Sequence, residues 1–311
     1  MGPTLSVIAQ MYPPKPVWGV NDIPDLSGKV ILVTGGNTGV GKETVKALLA
    51  KNAKVYIATR NKEKSLAAIE DLKKETGNEA IFLPLDLADL KNVKASAEEF
   101  LSKESKLHVL FNNAAVMACP NEQLTAQGYD MQFGTNVIGH WYFTELLMPA
   151  LLDVSQSEPG QKARIITTSS SASYLETLNW DTIEDTPARR KAAGDTLYNR
   201  SKHANVIVSN EIARRYGDKG IVAISVNPGN LATELQRHLT GIRAWFVSKI
   251  LHPAPLGALT QLYAGTDPKA VDLNGGFMIP WARVGAPHPA TKDPATATKL
   301  WEWLQEHTKD I

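Results

Sequence analysis

Between Lys29 and Lys51 the chain passes from a near-continuous apolar run, Lys29 to Thr34 (K-V-I-L-V-T), through Gly35-Gly36-Asn37-Thr38-Gly39-Val40-Gly41 and into a helical pattern, Lys42 to Lys51. An apolar run of this kind reads as a strand buried on both faces, the signature of a parallel sheet covered by helices. Small residues at the turn let backbone N–H groups approach an anion, and the helix N-terminus adds its positive dipole. Gly35, Asn37, Thr38, Gly39, Val40 and Gly41 are therefore expected to hold a phosphate-bearing ligand. The spacing is G-x-x-x-G-x-G, distinct from the common G-x-G-x-x-G fingerprint. A ligand-free strand-to-helix turn is the competing reading, but three glycines exceed what such a turn needs.

The pattern then repeats. Strands are predicted at Lys54 to Thr59, Ala80 to Leu85, Leu107 to Phe111, Arg164 to Thr168 and Ile221 to Val226. Helices are predicted at Glu63 to Thr76, Leu90 to Ser102, Tyr129 to Leu152 and Thr196 to Tyr216, with an irregular stretch over residues 174–194. Alternation of this kind predicts an α/β fold, a doubly wound parallel sheet with helices on both faces. Ligands in such folds bind at the carboxyl ends of the strands. Arg60, at the end of the second strand with Lys62 and Lys64 behind it, stands where an NAD-type site carries a carboxylate. A cation there accommodates a 2′-phosphate, which favours NADP(H). Asp86-Leu87, Asn112-Asn113-Ala114, Ser169-Ser170-Ser171 and Pro228-Gly229 close the next four strands.

Tyr198 and Lys202 lie four residues apart on a predicted helix and so share one face. An ammonium near a phenol favours phenolate, so the Tyr198 pKa is expected to fall from about 10 towards neutrality. A phenol tuned in this way serves as a general acid or base at physiological pH. A solvated helix-face pair is the plain alternative; the clustering of candidate residues at strand ends argues against it.

The 311 residues are 43% hydrophobic and 21% charged with net charge +1, which suggests neither a nucleic-acid surface nor a polyacidic partner. A single cysteine, Cys119, excludes an intrachain disulfide, fits a reducing, cytoplasmic compartment and is expected to be a small buried side chain. No cluster has metal-ligand spacing, so no metal is expected. Residues 1–10 suit neither a signal peptide nor a membrane span. We expect residues 1–26 to form a proline-rich extended arm and 27–311 a single Rossmann-type domain, with a helical substrate lid at about 231–256.

With these residues in hand, the chain resembles a short-chain dehydrogenase/reductase over roughly residues 27 to 285. The motifs are T-G-x-x-x-G-x-G (Thr34, Gly35, Gly39, Gly41), Asp86-Leu87, Asn112-Asn113-Ala114, Ser170, Y-x-x-x-K and P-G followed four residues later by Thr233. The loop, A-T-R-N and Y-N-R-S-K are similar to the retinol dehydrogenase-like branch and its fungal relatives. The resemblance implies a catalytic tetrad. Tyr198 is the acid/base; Lys202 lowers its pKa and holds the nicotinamide ribose. Ser170 polarises the substrate carbonyl, and Asn136 anchors a water that passes protons to Lys202. It also implies that Asp86, Leu87, Asn113, Ala114, Pro228, Gly229 and Thr233 contact the cofactor, with Asp86 receiving the adenine amino group. Departures are Ala115 where the family usually has glycine, no basic residue between Gly35 and Gly39, and no hydrophobic N-terminal anchor.

The implied activity is NADPH-dependent reduction of an aldehyde or ketone to an alcohol, reversible, by hydride transfer. Leu239, Ile242, Trp245, Phe246, Val247, Ile250 and Leu251 in the lid suit a small apolar carbonyl or alcohol, or peripheral contact with a membrane; packing on the chain's own domain fits equally. A last strand-like run spans Gly276 to Ile279. Trp180, Met278 and Trp281 are further candidates for the pocket, and Trp301 and Trp303 for docking the last helix. Pairing with a second copy of the chain stays open. The alternatives are a non-catalytic NADP-binding redox sensor and an epimerase or dehydratase. The short stretch after Thr233 disfavours the latter, and retention of the tetrad disfavours the former.

Overall fold

The computed structural model describes residues 9–231 and 251–311. Among the described residues, eight strands form one sheet in the order β3-β2-β1-β4-β5-β6-β7-β8. They are β1 Val30–Thr34, β2 Lys54–Thr59, β3 Ile81–Pro84, β4 Val109–Asn112, β5 Ala163–Thr168, β6 Ile221–Val226, β7 Phe277–Ile279 and β8 Arg283–Gly285. The first seven run parallel and β8 returns antiparallel to β7. The predicted doubly wound sheet is what forms, with β8 as an element that sequence patterning does not announce.

Alternation along each strand explains the two cores. Leu32, Tyr56, Leu110 and Ile165 point to one face; Ile31, Val33, Val55, Ile57, Phe111 and Ile166 point to the other. The first face is covered by α3 (Leu90–Leu101), α4 (residues 131–157), α6 (Gly194–Tyr216) and α8 (Pro294–Glu306); the second by α1 (Gly39–Leu49), α2 (Lys62–Thr76) and α7 (Ala254–Thr266). In sequence, a short α5, Pro187–Lys191, lies between α4 and α6, inside the stretch expected to be irregular. Trp301 of α8 is buried edge-on against Trp141 at 5.4 Å, and Trp303 meets Tyr129 at 5.7 Å, so both dock the last helix.

Helix boundaries follow local chemistry. Asn61 caps α2 through Lys64 N–H, and Gly77 ends it at φ 77°. Asp89 caps α3. The long predicted helix, α4, is a composite: Met131–Phe133 is α-helical, Gly134–Gly139 has π-helical turns and His140–Ser157 is α-helical again. Asn136 sits in that π turn, a feature frequent at functional sites.

Gln10, Trp18, Ile23 and Leu26 lie against the domain by specific contacts. Ile23 and Leu26 are buried in the second core, and Trp18 donates Nε1–H to Asp267 at 3.0 Å while meeting the Tyr263 ring edge-on. Gln10 is almost fully buried, its Oε1 accepting from Asn227 Nδ2 at 2.7 Å. None of the described helices is long and apolar enough to cross a membrane.

Candidate active site

The strand order reverses between β1 and β4, and the crevice that reversal opens is where the candidate residues gather. Thr34 is its pivot. Its hydroxyl oxygen accepts from Asn113 N–H and Ala114 N–H, both at 2.9 Å, and Asn113 Nδ2 donates to the Thr34 carbonyl at 2.8 Å. The turn after β1 is thereby stitched to the turn after β4. Gly35 follows at φ 68° and Gly39 at φ 53°, positions that favour glycine.

The start of α1 fits an anionic group. Thr38 occupies the N-cap but offers no side-chain hydrogen bond, unlike Asn61 and Asp89 on the next two helices. The first-turn amides of α1 therefore lack, among the described residues, an N-cap side-chain partner of the kind Asn61 and Asp89 supply. A Cβ on Gly41 would stand 2.2 Å from the Gly35 carbonyl oxygen, so only glycine lets the loop fold this tightly over the helix.

Arg60, immediately after β2, is exposed and has no ion-pair partner among the described residues. Asp86 Oδ1 accepts from Ala88 N–H at 3.0 Å, forming a turn directly after β3. The Leu87 carbonyl packs against Gly139, joining that turn to the π segment of α4.

Tyr198 and Lys202 are both buried on α6. Lys202 Nζ lies 5.7 Å from the Tyr198 ring centroid and donates to the Thr168 carbonyl at 2.8 Å. The expected fall in the Tyr198 pKa does not occur in this structure. Burial pushes the phenol up to about 12, with the Ser170 side chain pulling the other way, and burial also pushes Lys202 down to about 7. Burial of the pair on one helix face penalises both of its charges.

The three serines after β5 separate by partner. Ser169 is buried and donates to the Lys202 carbonyl at 2.7 Å, which fixes helix to strand. Ser170 stays half-exposed; its Oγ accepts from Ala172 N–H, and it faces the Tyr198 phenol. Ser171 opens the following 3-10 turn. Asn136 is fully buried: Oδ1 accepts from Val116 N–H at 2.9 Å, and Nδ2 donates to Val116 O and Ser201 Oγ, both at 3.0 Å. Ser201 in turn donates to the Tyr198 carbonyl at 2.7 Å.

Pro228 and Gly229 follow β6, with Gly229 at φ 92° beside buried Trp281. Trp281 shares an apolar cluster with Leu231, Leu259, Val40 and Leu256, so it reaches the glycine loop. Two of the three further pocket candidates pack elsewhere. Met278 is buried in the second core through β7, and Trp180 lies under the Lys299 ammonium of α8 at 4.4 Å. Cys119 is half-exposed rather than buried. Thr233 and the lid residues from Leu239 to Ile250 lie outside the described residues; Leu251 is half-buried.

Three polar residues at the site carry little or no sign of their role in the sequence. Gln261 of α7 is fully buried and donates to Thr44 and Asn113 while accepting from Thr168. Its one signal is a glutamine inside an otherwise apolar helix. Gln10 gives no signal. His140 stands four residues after Asn136, a spacing that places the two on one helix face.

A family model described as short chain dehydrogenase matches residues 29–181. A protein of Armillaria gallica named short-chain dehydrogenase/reductase is 60% identical over 310 residues, 100% of both chains. Retinol dehydrogenase 11 of Homo sapiens is 34% identical over 290 residues, 89% of this chain and 85% of that one. The structure of 3-ketoacyl-(acyl-carrier-protein) reductase from Brucella melitensis, complexed with NADH, is 25% identical, covers 82% of this chain and 96% of its own, and superposes with a TM-score of 0.63. A doubly wound sheet, a glycine turn stitched to the turn after β4, a Tyr198–Lys202 helix and relatives matching from end to end lead to one assignment: the chain belongs to the short-chain dehydrogenase/reductase family of oxidoreductases.

Proposed function

We propose that the protein is an NADP(H)-dependent carbonyl reductase, reversible as an alcohol dehydrogenase. The observation that carries the reading is the buried Tyr198 phenol flanked by Ser170 and Lys202. With its pKa at about 12, the phenol is protonated throughout the physiological range, the form that donates a proton to an alkoxide as it develops. Ser170, whose side chain faces the phenol, would hold the substrate oxygen against it. Lys202 near 7 changes charge within the working range and is braced by Thr168 O, so it can take and return a proton without moving.

The cofactor would lie along the strand ends. The uncapped amides of α1 and the glycine turn would hold its phosphates, and Arg60 its 2′-phosphate. Bound dihydronicotinamide would supply the hydride to the carbonyl carbon. Leu231, Leu256, Leu259 and Trp281 form an apolar wall beside Gly229, which supports a bulky apolar carbonyl as substrate.

The test is a panel of aldehydes, ketones and alcohols followed by cofactor absorbance, with Tyr198→Phe as the matched variant. General acid catalysis contributes about 10²–10⁴-fold, so turnover should fall by that order while NADPH affinity stays near the parent's. A folded phenylalanine variant with parental turnover removes Tyr198 from the chemistry. Faster turnover of small polar aldehydes than of aromatic or terpenoid ketones would refute the substrate class.

A further inference from the structure

His140 is fully buried at the junction of the π and α parts of α4, and its two ring nitrogens face opposite halves of the site. Nδ1 lies 3.2 Å from the Asn136 carbonyl oxygen, and Nε2 lies 2.9 Å from Thr34 Oγ1. A carbonyl can only accept, so Nδ1 carries the hydrogen. Burial holds the ring neutral, its pKa driven down to about 3 against the upward pull of the Asn136 carbonyl bond and with a smaller push from the Lys202 charge, so Nε2 is left as an acceptor. Thr34 therefore donates its one hydroxyl proton to Nε2, in preference to the Phe111 carbonyl at 3.3 Å. That turns both Thr34 lone pairs towards Asn113 N–H and Ala114 N–H.

We propose that His140 is a positioning residue that sets the cofactor-side turn, through Thr34, and the proton-transfer side, through the Asn136 carbonyl, in one fixed relation. This rests on the oxidoreductase reading above. On one side the chain of bonds runs His140–Thr34–Asn113 and Ala114. On the other it runs from His140 to the Asn136 backbone carbonyl, and from the Asn136 side chain through Ser201 to the Tyr198 backbone carbonyl. One imidazole thus joins the start of the glycine loop to the helix that carries Tyr198.

Two substitutions separate the two ends. His140→Asn puts an amide N–H near the Nδ1 position and cannot reach Thr34. His140→Gln puts an amide oxygen near the Nε2 position and gives up Asn136. Titrating NADPH into each protein by fluorescence measures the first side without turnover; kcat at saturating cofactor measures the second. His140→Asn should weaken NADPH about tenfold, the worth of one buried hydrogen bond, with kcat within about twofold. His140→Gln should bind NADPH within about twofold and lose about tenfold in kcat. Equal losses of both quantities in both variants, tracking their melting temperatures, would show a merely structural role and overturn the proposal, as would parental values throughout. Nitrogen NMR of the parent needs no substitution: a neutral ring with hydrogen on Nδ1 is expected at pH 7, and hydrogen on Nε2 overturns the proposal. Parent protein that binds neither NADPH nor NADH would instead sink the oxidoreductase reading beneath it.

Discussion

Gly41→Ala isolates the glycine turn from everything else in the site. A Cβ at residue 41 would stand 2.2 Å from Gly35 O and 2.7 Å from Asn113 Nδ2, where real Cβ contacts stay beyond 3.0 Å. The loop and the helix must therefore separate by roughly 0.8 Å at the carbonyl contact. Neither obstacle is a free end that can swing aside. Gly35 is the first residue of the turn, held by its N–H to the Ala58 carbonyl, and Asn113 Nδ2 is committed to Thr34 O. Overpacking of this kind costs about 1–3 kcal/mol, and at about 2–4 °C per kcal/mol for chains approaching this size the melting temperature should drop by several degrees. The same separation moves the α1 amides away from the turn. Losing one hydrogen bond to a charged phosphate, about 1.5–3 kcal/mol, lowers NADPH affinity about ten- to a hundredfold.

Gly77→Ala is the control. Gly77 has φ 77° and no atom within 4 Å of where its Cβ would stand, so the substitution strains the backbone by about 1–2 kcal/mol without displacing a neighbour. It caps the far end of α2, away from the turn. Scanning fluorimetry and NADPH titration on both variants decide the matter. Both should melt earlier, and only Gly41→Ala should lose affinity. Parental NADPH affinity in Gly41→Ala, or a comparable loss in Gly77→Ala, would refute the argument that the close approach of residues 35 and 41 builds the phosphate site.

Arg60→Asp should weaken NADPH and spare or strengthen NADH, because an exposed cation is replaced by the carboxylate an NAD-type site carries; equal affinities for the two cofactors in the parent would remove the claim. Arg189→Met should cost about 3–5 kcal/mol, since Arg189 and Asp130 are both buried, Nη1 to Oδ2 at 3.6 Å, and the carboxylate would be left without its cation. Burial already raises the Asp130 pKa against the Arg189 charge, and losing that charge raises it further, so the protonated carboxyl relieves the variant at low pH; chemical denaturation should show a smaller deficit at pH 5 than at pH 8. The His140 pKa drop from 6.5 to about 3 means that the unfolded chain binds a proton the folded chain refuses, so stability falls as pH falls through that window, by up to about 5 kcal/mol at about 1.4 kcal/mol per pH unit. His140→Asn should flatten that acid slope relative to the parent, and unchanged slopes would show that the ring takes its proton without cost.

The strands were legible because each is an apolar run between turn residues, and burial on both faces leaves no other composition for a central strand. The glycine turn was legible for the same reason in reverse: close approach admits one residue type. What stayed hidden depended on partners distant in sequence. Gln10 meets Asn227 and Gln261 meets Asn113, pairs whose spacing along the chain carries no periodicity. β8 is three residues long with an exposed valine at its centre, too short for an alternation to register. The π turn in α4 left no mark either, since Gly134 to Gly139 reads as an ordinary helical segment until the carbonyl of Leu87 is seen pressed against Gly139.

The Tyr198–Lys202 pair shows a different kind of shortfall, one of energetics rather than geometry. Spacing on a helix reports that two side chains are neighbours, and neighbouring opposite charges stabilise each other. It does not report the solvent each has lost. Both side chains are enclosed, so desolvation acts on the ammonium and on the phenolate at once, and it drives Lys202 towards the neutral amine while it drives Tyr198 towards the neutral phenol. The Coulomb attraction between charges exists only once both charges have formed. Burial therefore favours the neutral phenol, the form that the reduction proposed above would use as its acid. In the reversible reaction proposed above, an oxidation would begin by moving the phenol proton away, through Ser170 or towards Lys202.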